Sequence, residues 1–526
     1  MSAADAGDGA ISNPPDGAGP AAGPDRRKWL ILGVIAVAQL MVVLDGTVVN
    51  IALPDAQKAL GFGDADRQWI ITGYALAFGS LLLLGGKLAD LLGRKTTFLA
   101  GLIGFAIASA VGGASNGFEM LVTARVCQGA FGALLAPAGL SLLTTTFPGR
   151  KERGTAFAVY GAIVASGSAL GMLLGGVLTE YLDWRWCLYI NLIFAAAGVV
   201  GGFRMLEQSR PAVRPKLDLP GTVAISGALF CVVYGFSNAE SHAWSTPSTW
   251  GFLAAGVVLL AAFAGWQARA ANPLLPLRIL ADRNRAGAYT AIFLIMAGIS
   301  GVFLFLTYYL QETRGYSPVA TGLAYLPMLT ATVIMGILSN LKLLPRTGPK
   351  PLVVIGLLLA AGGMAWLTRI GLHTGYATSL LGPLVVAGAG MGLALAPSSN
   401  TATYRVPAND AGVASAMVNT MQQVGQSVGT ALLNTIALSA TTTYLTTHAA
   451  GAAPSAALQS LSVLHGYTTA FWWAAGILAA ACVICIVLVR RGVLAGQGDS
   501  GGPGDTPSPQ QEPAATAAPG ASEVIA

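Results

Sequence analysis

The sequence predicts an all-α protein that crosses a lipid bilayer many times, and three observations support this prediction. Hydrophobic residues make up 54% of the 526 residues and charged residues only 10%, whereas a soluble protein usually carries about 25% charged residues. The apolar residues are gathered in long runs, and about 20 helical residues cross the hydrocarbon core of a bilayer. Basic residues are concentrated in alternate connections between these runs, as in polytopic membrane proteins.

Apolar runs along the chain predict 14 membrane-spanning helices. They cover residues 29–53, 67–91, 96–115, 118–142, 154–180, 185–205, 219–238, 248–269, 286–311, 319–341, 350–371, 376–397, 410–437 and 467–490. No cleavage pattern follows the first run, which is too long for the apolar region of a signal peptide. The Gly-, Ala- and Pro-rich segments 1–25 and 492–526 are predicted to be disordered tails.

Basic residues predict the orientation of the helices. If the N-terminus is cytoplasmic, the outer side receives only Lys58, Arg67, Arg185, Arg314 and Arg369, and almost all other basic residues lie inside. Because positive loops stay on the cytoplasmic side, we expect a protein of the cell membrane with both termini in the cytoplasm. The net charge of +6 is too small to suggest a nucleic-acid partner.

An internal repeat predicts that the chain consists of two related halves. Gly-Arg-Lys at 93–95, followed by Gly101, reappears as Gly-Pro-Lys at 348–350, followed by Gly356. Transporters are commonly built from such repeats around a site at the membrane midplane. We therefore expect an N-terminal six-helix bundle, a linker with two extra helices and a C-terminal six-helix bundle, over residues 26–205, 206–284 and 285–491.

A charged turn, G-K-L-A-D-L-L-G-R-K at 86–95, lies between the second and third apolar runs. A plain topogenic loop that obeys the positive-inside rule would also carry such charges. The pattern resembles the signature loop between helices 2 and 3 of the major facilitator superfamily, although Leu91 stands where the family often has a basic residue. The resemblance implies a cytoplasmic gate that latches the two halves in one state, formed by Gly86, Asp90, Gly93, Arg94 and Lys95.

Only two charged residues, Asp45 and Arg125, lie deep in the predicted spans. An ionisable side chain at this depth costs about 2.5–3.5 kcal/mol on insertion scales, which favours a functional role. The structural alternatives are a packing or capping role for Asp45 and a static ion pair for Arg125. The functional interpretation is that Asp45 carries a proton and that a nearby Arg125, which keeps its own charge, controls its release.

Both residues stand in segments that resemble motifs of the 14-helix drug:proton antiporter branch of this superfamily. L-D-G-T-V-V-N-I-A-L-P at 44–54 resembles the motif of span 1, and R-V-C-Q-G at 125–129 resembles that of span 4. The resemblance implies that Asp45, Arg125 and Gln128 take part in proton coupling.

Span 5 carries glycines that resemble the antiporter motif of the same branch. Gly167, Gly171, Gly175 and Gly176 match its spacing, but Met172 replaces the motif's proline. Glycines four residues apart line one face of a helix and allow another helix to approach closely. Such spacing is common in membrane proteins, and the missing proline leaves import as an alternative to antiport.

Span 13 carries a polar stripe without an acid. Asn419, Gln423 and Gln426 recur at helical spacing, so the stripe should face a cavity or a partner helix, not lipid. With Asn50 of span 1, these amides are candidates for the lining of a substrate cavity suited to a large amphipathic organic compound. Interhelical hydrogen bonding explains the stripe equally well.

Twelve core spans plus an extra pair resemble the architecture of the 14-helix antiporters. The resemblance implies the major facilitator fold and the export of drug-like or antibiotic compounds in exchange for protons, by a monomer without a cofactor. The sequence shows no phosphate-binding loop, no metal-ligand cluster and no catalytic residues, so we expect no enzyme activity. The alternatives are a proton-coupled importer, a metabolite exporter of the same fold, or a membrane sensor that transports nothing.

Overall fold

A computed structural model describes residues 26–64, 66–147, 150–208, 218–242, 246–271, 273–404, 406, 411–449 and 455–489. These residues are helical except for short connections, and no strand occurs among them. The long helices are α1 (Arg26–Leu60), α2 (Arg67–Leu92), α3 (Arg94–Gly113), α4 (Phe118–Thr146), α5 (Arg150–Tyr181), α6 (Trp186–Met205), α7 (Leu219–His242), α8 (Pro247–Arg269), α9 (Arg283–Tyr308), α10 (Pro318–Leu338), α11 (Pro349–Leu367), α12 (Leu381–Thr403), α13 (Ala411–Ala449) and α14 (Ala456–Leu488).

Each predicted span overlaps one of these helices for most of its length, which confirms the all-α fold class. Eleven of the described helices are long and apolar enough to cross a membrane. The other three are α2, α5 and α13, with 26, 32 and 39 residues. The chain is therefore a multi-pass membrane protein. The two predicted tails lie outside the described residues.

Several helices extend beyond the predicted spans. α1 reaches Leu60 instead of residue 53, α13 reaches Ala449 instead of residue 437, and α14 begins at Ala456 instead of residue 467. Hydropathy detects only the part of a helix that lies in hydrocarbon, whereas the ends of a helix depend on local caps. At α14 the cap is Ser455, whose Oγ accepts a hydrogen bond from the Leu458 N–H at 3.2 Å.

Helix ends gather on two opposite faces of the bundle. One face carries Lys58, Glu180 and Glu312 and is called the Lys58 face. The other carries Lys95 and Glu207 and is called the Lys95 face. Side-chain contacts between helix ends define each face: Lys58 contacts Glu312 across one, and Lys95 contacts the end of α6 across the other.

Two halves of six helices make up the fold, α1–α6 and α9–α14. In the first half, α2 and α3 pack on α4, and α1 packs on α5 and α6. In the second half, α11 packs on α12 and α14, and α9 packs on α13 and α14. The halves meet where α2 contacts α13 and where α5 contacts α10. Since lipid tails are as apolar as leucine, close van der Waals packing must supply much of the stabilisation.

The α7–α8 hairpin lies against the contact between the halves. Leu229 and Val233 of α7 pack with Leu76 of α2 and Val424 of α13. Asp218, which precedes α7, links the start of α7 to the end of α8. The Asp218 carboxylate accepts hydrogen bonds from Trp266 Nε1 and Gln267 Nε2, both at 2.7 Å, and from the Gly221 N–H at 2.9 Å. Burial opposes ionisation, but these hydrogen bonds outweigh it and lower the pKa of Asp218.

Candidate functional site

Asp45 of α1 is fully buried and forms the centre of a hydrogen-bonded cluster. Its Oδ2 lies 2.6 Å from Arg125 Nη1, an ion pair between α1 and α4. Its Oδ1 accepts hydrogen bonds from Gln128 Nε2 at 2.9 Å and from Asn191 Nδ2 at 2.7 Å. An ionised carboxylate buried at this depth is stable only when it is paired and hydrogen-bonded, and these three donors meet that requirement.

Arg125 is also buried, with 2% of its side chain exposed. Its Nε donates to the Ile70 carbonyl at 3.1 Å, and its Nη1 donates to Gln128 Oε1 at 3.0 Å. The guanidinium carbon lies 4.4 Å from the centre of the Tyr74 ring, in cation–π geometry. The three-residue spacing on α4 places Arg125 and Gln128 on one helix face, so both reach the same carboxylate.

Ser109 of α3 completes the cluster. Its hydroxyl donates to the Phe105 carbonyl at 2.8 Å and accepts from Gln128 Nε2 at 2.8 Å and from Asn191 Nδ2 at 3.3 Å. Five helices, α1, α2, α3, α4 and α6, thus contribute to one network, and all of them belong to the first half. We call it the Asp45 cage; it consists of Asp45, Tyr74, Ser109, Arg125, Gln128 and Asn191.

Three members of the Asp45 cage were not predicted from the sequence. Asp45 and Arg125 stand out because a charge in a membrane span is rare, and Gln128 was found through its motif. Tyr74, Ser109 and Asn191 are neutral residues of a kind that occurs in many spans. The available signal was the single amide of Asn191 in an otherwise apolar sixth span.

The predicted glycines of α5 contact the helix that carries Asp45. A side chain at Gly171 would overlap Thr47 Oγ1, and a Cβ at Gly175 would lie 2.9 Å from the Val48 carbonyl oxygen; Gly167 likewise faces α1. Gly176 faces the other half, because a Cβ there would lie 2.7 Å from the Pro318 carbonyl oxygen of α10. α5 therefore contacts both the acid's helix and the second half.

Met172, which replaces the motif's proline, lies at the same contact between the halves. It is fully buried, and a Cβ at Gly322 of α10 would lie 2.6 Å from its carbonyl oxygen. Helix α5 runs continuously through this position. The residue thus takes part in the α5–α10 packing.

The loop predicted to be a gate contains a tight turn between α2 and α3. Gly93 has φ +97°, a conformation that favours glycine, and Gly86 approaches Pro137 of α4. Lys95 Nζ donates to the Leu206 carbonyl at 2.6 Å, at the end of α6 in the same half. Arg94 Nε is buried without a hydrogen-bond partner among the described residues. The side chain of Asp90 lies outside the described residues.

The predicted cavity residues occupy two separate environments. Asn50 is buried, and its Nδ2 donates to the Gly46 carbonyl of its own helix at 3.1 Å. On α13, the three amides Asn419, Gln423 and Gln426 are half-buried, and Gln423 lies against Gly79 of α2. No described hydrogen bond joins Asn50 to these amides. Gly46, beside Asp45, borders open space, since no other group would lie within 4 Å of a Cβ there.

Polar contacts close the Lys58 face between the two halves. Lys58 Nζ lies 2.7 Å from Glu312 Oε1, and Gln57 Oε1 accepts a hydrogen bond from the Tyr308 hydroxyl. Gln311 Nε2 donates to the Ile51 carbonyl at 3.0 Å, and Glu180 Oε2 accepts from the Val319 N–H at 2.9 Å. These four contacts join the first half to the second at this face.

Arg67, at the start of α2, is buried at the same face with 3% of its side chain exposed. Its Nη2 donates to Asn434 Oδ1 of α13 at 3.4 Å, and its guanidinium lies 4.2 Å from the centre of the Tyr308 ring of α9. The carboxylate beside it, that of Asp64, is 3.5 Å away and 56% exposed. The second half therefore encloses a cation that belongs to the first half.

Comparison with known proteins identifies the family. Residues 35–430 match the sequence profile of the Major Facilitator Superfamily. The chain is 48% identical over 470 residues to a puromycin resistance protein of Streptomyces alboniger, with 89% of this chain and 92% of that protein covered. It is 37% identical over 419 residues to a tetracenomycin C resistance and export protein of Streptomyces glaucescens, with 79% and 77% covered.

A solved structure confirms the fold. The crystal structure of a bacterial homologue of the human lysosomal transporter Spinster, in an inward-facing and unoccupied conformation, matches with a TM-score of 0.60 and 16% sequence identity. The match covers 89% of this chain and 98% of that one. At this identity the likeness concerns the fold alone.

Proposed function

Because this chain belongs to the major facilitator superfamily, we propose that it is a secondary transporter that exports drug-like or antibiotic organic compounds in exchange for protons. The observation that carries the proposal is the buried ion pair of Asp45 and Arg125, a site where one proton can be bound and released. The relatives named for puromycin and tetracenomycin C resistance support an antibiotic as the cargo.

The charge distribution supports an orientation with the Lys95 face in the cytoplasm of the cell. Basic residues are concentrated in the connections of that face, and positive loops remain cytoplasmic. The Lys58 face is then external, and both termini are cytoplasmic. In this orientation the described conformation is closed toward the outside.

The proposed cycle links the protonation of Asp45 to movement of the two predicted bundles, 26–205 and 285–491. With the Lys58 face closed, Asp45 is ionised and fully hydrogen-bonded, and the cargo binds from the cytoplasm in the open space beside Gly46. After the Lys58 face opens, the cargo leaves and a proton from outside neutralises Asp45. Loss of the negative charge weakens the attraction to Arg125, because a neutral acid no longer balances a buried cation.

α5 is the proposed connection between the proton site and the movement of the halves. Its glycines contact α1 beside Asp45, and Gly176 contacts α10 of the second half. A shift of α1 after protonation would therefore press on the α5–α10 contact. When the Lys58 face is open, the loop 86–95 holds the Lys95 face closed. Asp90 and Arg94 are the charged groups of the loop that make this contact.

An accumulation assay tests this function. Cells that express the protein should retain several-fold less radiolabelled puromycin than control cells, and an uncoupler should abolish the difference. Asp45→Asn should remove the uncoupler-sensitive export while the protein remains in the membrane. Full export by Asp45→Asn would contradict the proton site, and unchanged retention of both puromycin and tetracenomycin C would contradict antibiotic export.

The same assay separates the alternatives that the missing proline at Met172 leaves open. A proton-coupled importer would raise the retained label instead of lowering it. A metabolite exporter would leave the retention of both antibiotics unchanged but release a cellular compound, and an uncoupler would stop that release. A membrane sensor would change neither quantity.

A further inference from the structure

Asn191 of α6 has an unusual position within the Asp45 cage. Its side chain is fully buried, and its Nδ2 donates to Asp45 Oδ1 at 2.7 Å and lies 3.3 Å from Ser109 Oγ. Its Oδ1 is buried but has no hydrogen-bond partner among the described residues. An unpaired buried acceptor is costly, so an unused acceptor one amide away from an ionisable carboxyl calls for an explanation.

The orientation of this amide follows from its neighbours. The only hydrogen of the Ser109 hydroxyl is donated to the Phe105 carbonyl at 2.8 Å, so Ser109 Oγ can only accept from the amides around it. The reversed orientation would also place Asn191 Oδ1 against the ionised Asp45 carboxylate. The nitrogen must therefore face Asp45 while the acid is charged, and the oxygen is left over.

Gln128 contacts the same carboxylate oxygen but cannot rotate without loss. Its Nε2 donates to Asp45 Oδ1 and to Ser109 Oγ, and its Oε1 accepts from Arg125 Nη1. Rotation of that amide would break all three hydrogen bonds. Rotation of the Asn191 amide breaks the hydrogen bonds that its Nδ2 donates to Asp45 and Ser109. No hydrogen bond at its Oδ1 is lost, because that oxygen has no partner among the described residues.

Ionised Asp45 needs hydrogen-bond donors from the cage, whereas protonated Asp45 also needs a hydrogen-bond acceptor. A carboxylic acid has an O–H that needs an acceptor, whereas the groups that face Asp45 from Arg125 and Gln128 are donors. We infer that Asn191 is a positioning residue whose amide rotates on protonation, so that its Oδ1 accepts the hydrogen bond of the neutral acid. This inference rests on the proposed function, in which Asp45 carries the proton.

Among the other titratable groups around Asp45, the Tyr74 hydroxyl is also buried without a hydrogen-bond partner among the described residues, but no described hydrogen bond joins it to Asp45. The charged or titratable groups that face it among the described residues are Arg125 of α4, Tyr74 of α2 and Cys187 of α6. Cys187 is committed to Thr179 Oγ1 at 3.3 Å and to the Gly175 carbonyl at 3.7 Å. From α3, only the Ser109 hydroxyl reaches the cage.

Infrared difference spectroscopy during a pH titration tests the inference without a transport substrate. The probe is the carboxylic acid C=O band of Asp45 in the full-length protein in lipid nanodiscs, identified by its absence in Asp45→Asn. Asn191→Asp keeps the acceptor but replaces the donor with a negative charge, so the midpoint of the band should move to higher pH. The expected change is about tenfold or more in proton concentration, as for the loss of a hydrogen bond to a charged group.

Asn191→Leu, of nearly the same size, removes both the donor and the acceptor. In this variant the band should move to higher frequency, because the neutral acid loses its hydrogen-bond acceptor, while Asn191→Asp should keep the native frequency. Asn434→Leu is the matched control, since Asn434 is an equally buried asparagine outside the cage, and it should change neither midpoint nor frequency.

Two results would overturn the inference in distinguishable ways. If an Asp45 band titrates but keeps its midpoint and frequency in both Asn191 variants, Asn191 only packs and the proton site stands. If no band that depends on Asp45 titrates, the proposed proton site fails together with the inference. Should Asn191→Leu not fold, Asn191→Ala, which likewise lacks the acceptor, decides by the frequency of the band.

Discussion

Arg125 and Arg67 are equally buried, at 2% and 3% exposure, but their surroundings differ. Arg125 lies 2.6 Å from a carboxylate that is itself fully buried, that of Asp45. Arg67 lies beside the exposed carboxylate of Asp64 at 3.5 Å, and neutral side chains of the second half, those of Asn434, Tyr308 and Tyr467, also contact it.

The difference separates two tasks that a buried cation can have in a transporter. Every cage partner of Arg125 belongs to the first half, so in the proposed cycle this ion pair would stay together when the halves move and would change only when Asp45 binds a proton. Arg67 belongs to the first half and is covered by the second, so in the proposed cycle it would become hydrated when the Lys58 face opens. Hydration favours a cation that lacks a buried counter-ion, and we therefore expect Arg67 to favour the open state of this face.

The largest expected effect tests the dependence of Arg125 on its acid. Asp45→Leu leaves a buried guanidinium without a counter-ion, and we expect a loss of about 3–5 kcal/mol in the free energy of unfolding. Adding Arg125→Met should restore most of that stability, because the pair is then replaced by apolar side chains. Denaturant unfolding of the purified proteins measures both values. A double variant less stable than the single one would contradict the proposed pairing.

Arg67 should behave in the opposite way. Arg67→Met removes a buried cation that has no buried acid, so we expect a change in unfolding free energy of less than about 1 kcal/mol, in contrast to the loss at the Asp45–Arg125 pair. The Lys58 face should open more rarely, because the hydration of the cation no longer favours the open state. Arg67→Lys, which keeps the charge, is the matched control.

Labelling of a buried cysteine measures this opening. Met172 is buried at the α5–α10 contact near the Lys58 face. The reporter is Met172→Cys in a variant whose five native cysteines are replaced by alanine. A thiol reagent added from outside should react several-fold more slowly when Arg67→Met is also present. Equal labelling rates would show that Arg67 does not control the face.

The smallest effect is expected at the exposed ion pair of the same face. The Lys58 and Glu312 side chains are 64% and 39% exposed, and pairs of this kind contribute about 0–1 kcal/mol. Lys58→Gln should therefore change the unfolding free energy by less than about 1 kcal/mol, and molar salt should remove the difference by screening. A larger, salt-independent loss would mean that Lys58 has a structural role beyond the pair.

Local features of the chain explain which parts of this architecture were predictable. The apolar runs predict the helices, because each span must satisfy its own backbone hydrogen bonds in lipid. Asp45 and Arg125 are identified because a charge at bilayer depth is costly wherever it stands. The positive-inside rule predicts that the connections rich in basic residues share one side of the membrane, the side of the Lys95 face.

Other features depend on neighbours that are distant in the chain. Asn191 joins the cage only because α6 packs against α1 and α3, so that residues 146 positions apart come within 2.7 Å. Lys95 was predicted as part of a gate, and the structure shows its ammonium group at the carbonyl end of α6. An acceptor of that kind is a backbone group, which no residue type in the sequence marks.

The sequence by itself determined that this protein is a multi-span helical membrane protein with one acid and one arginine at depth, because insertion energies depend on each residue's own chemistry. Only the tertiary structure decided that these two residues are paired, that neutral groups complete their cage and that Arg67 is covered by the opposite half. Hydrogen bonds and ion pairs depend on distances between helices, and packing sets those distances.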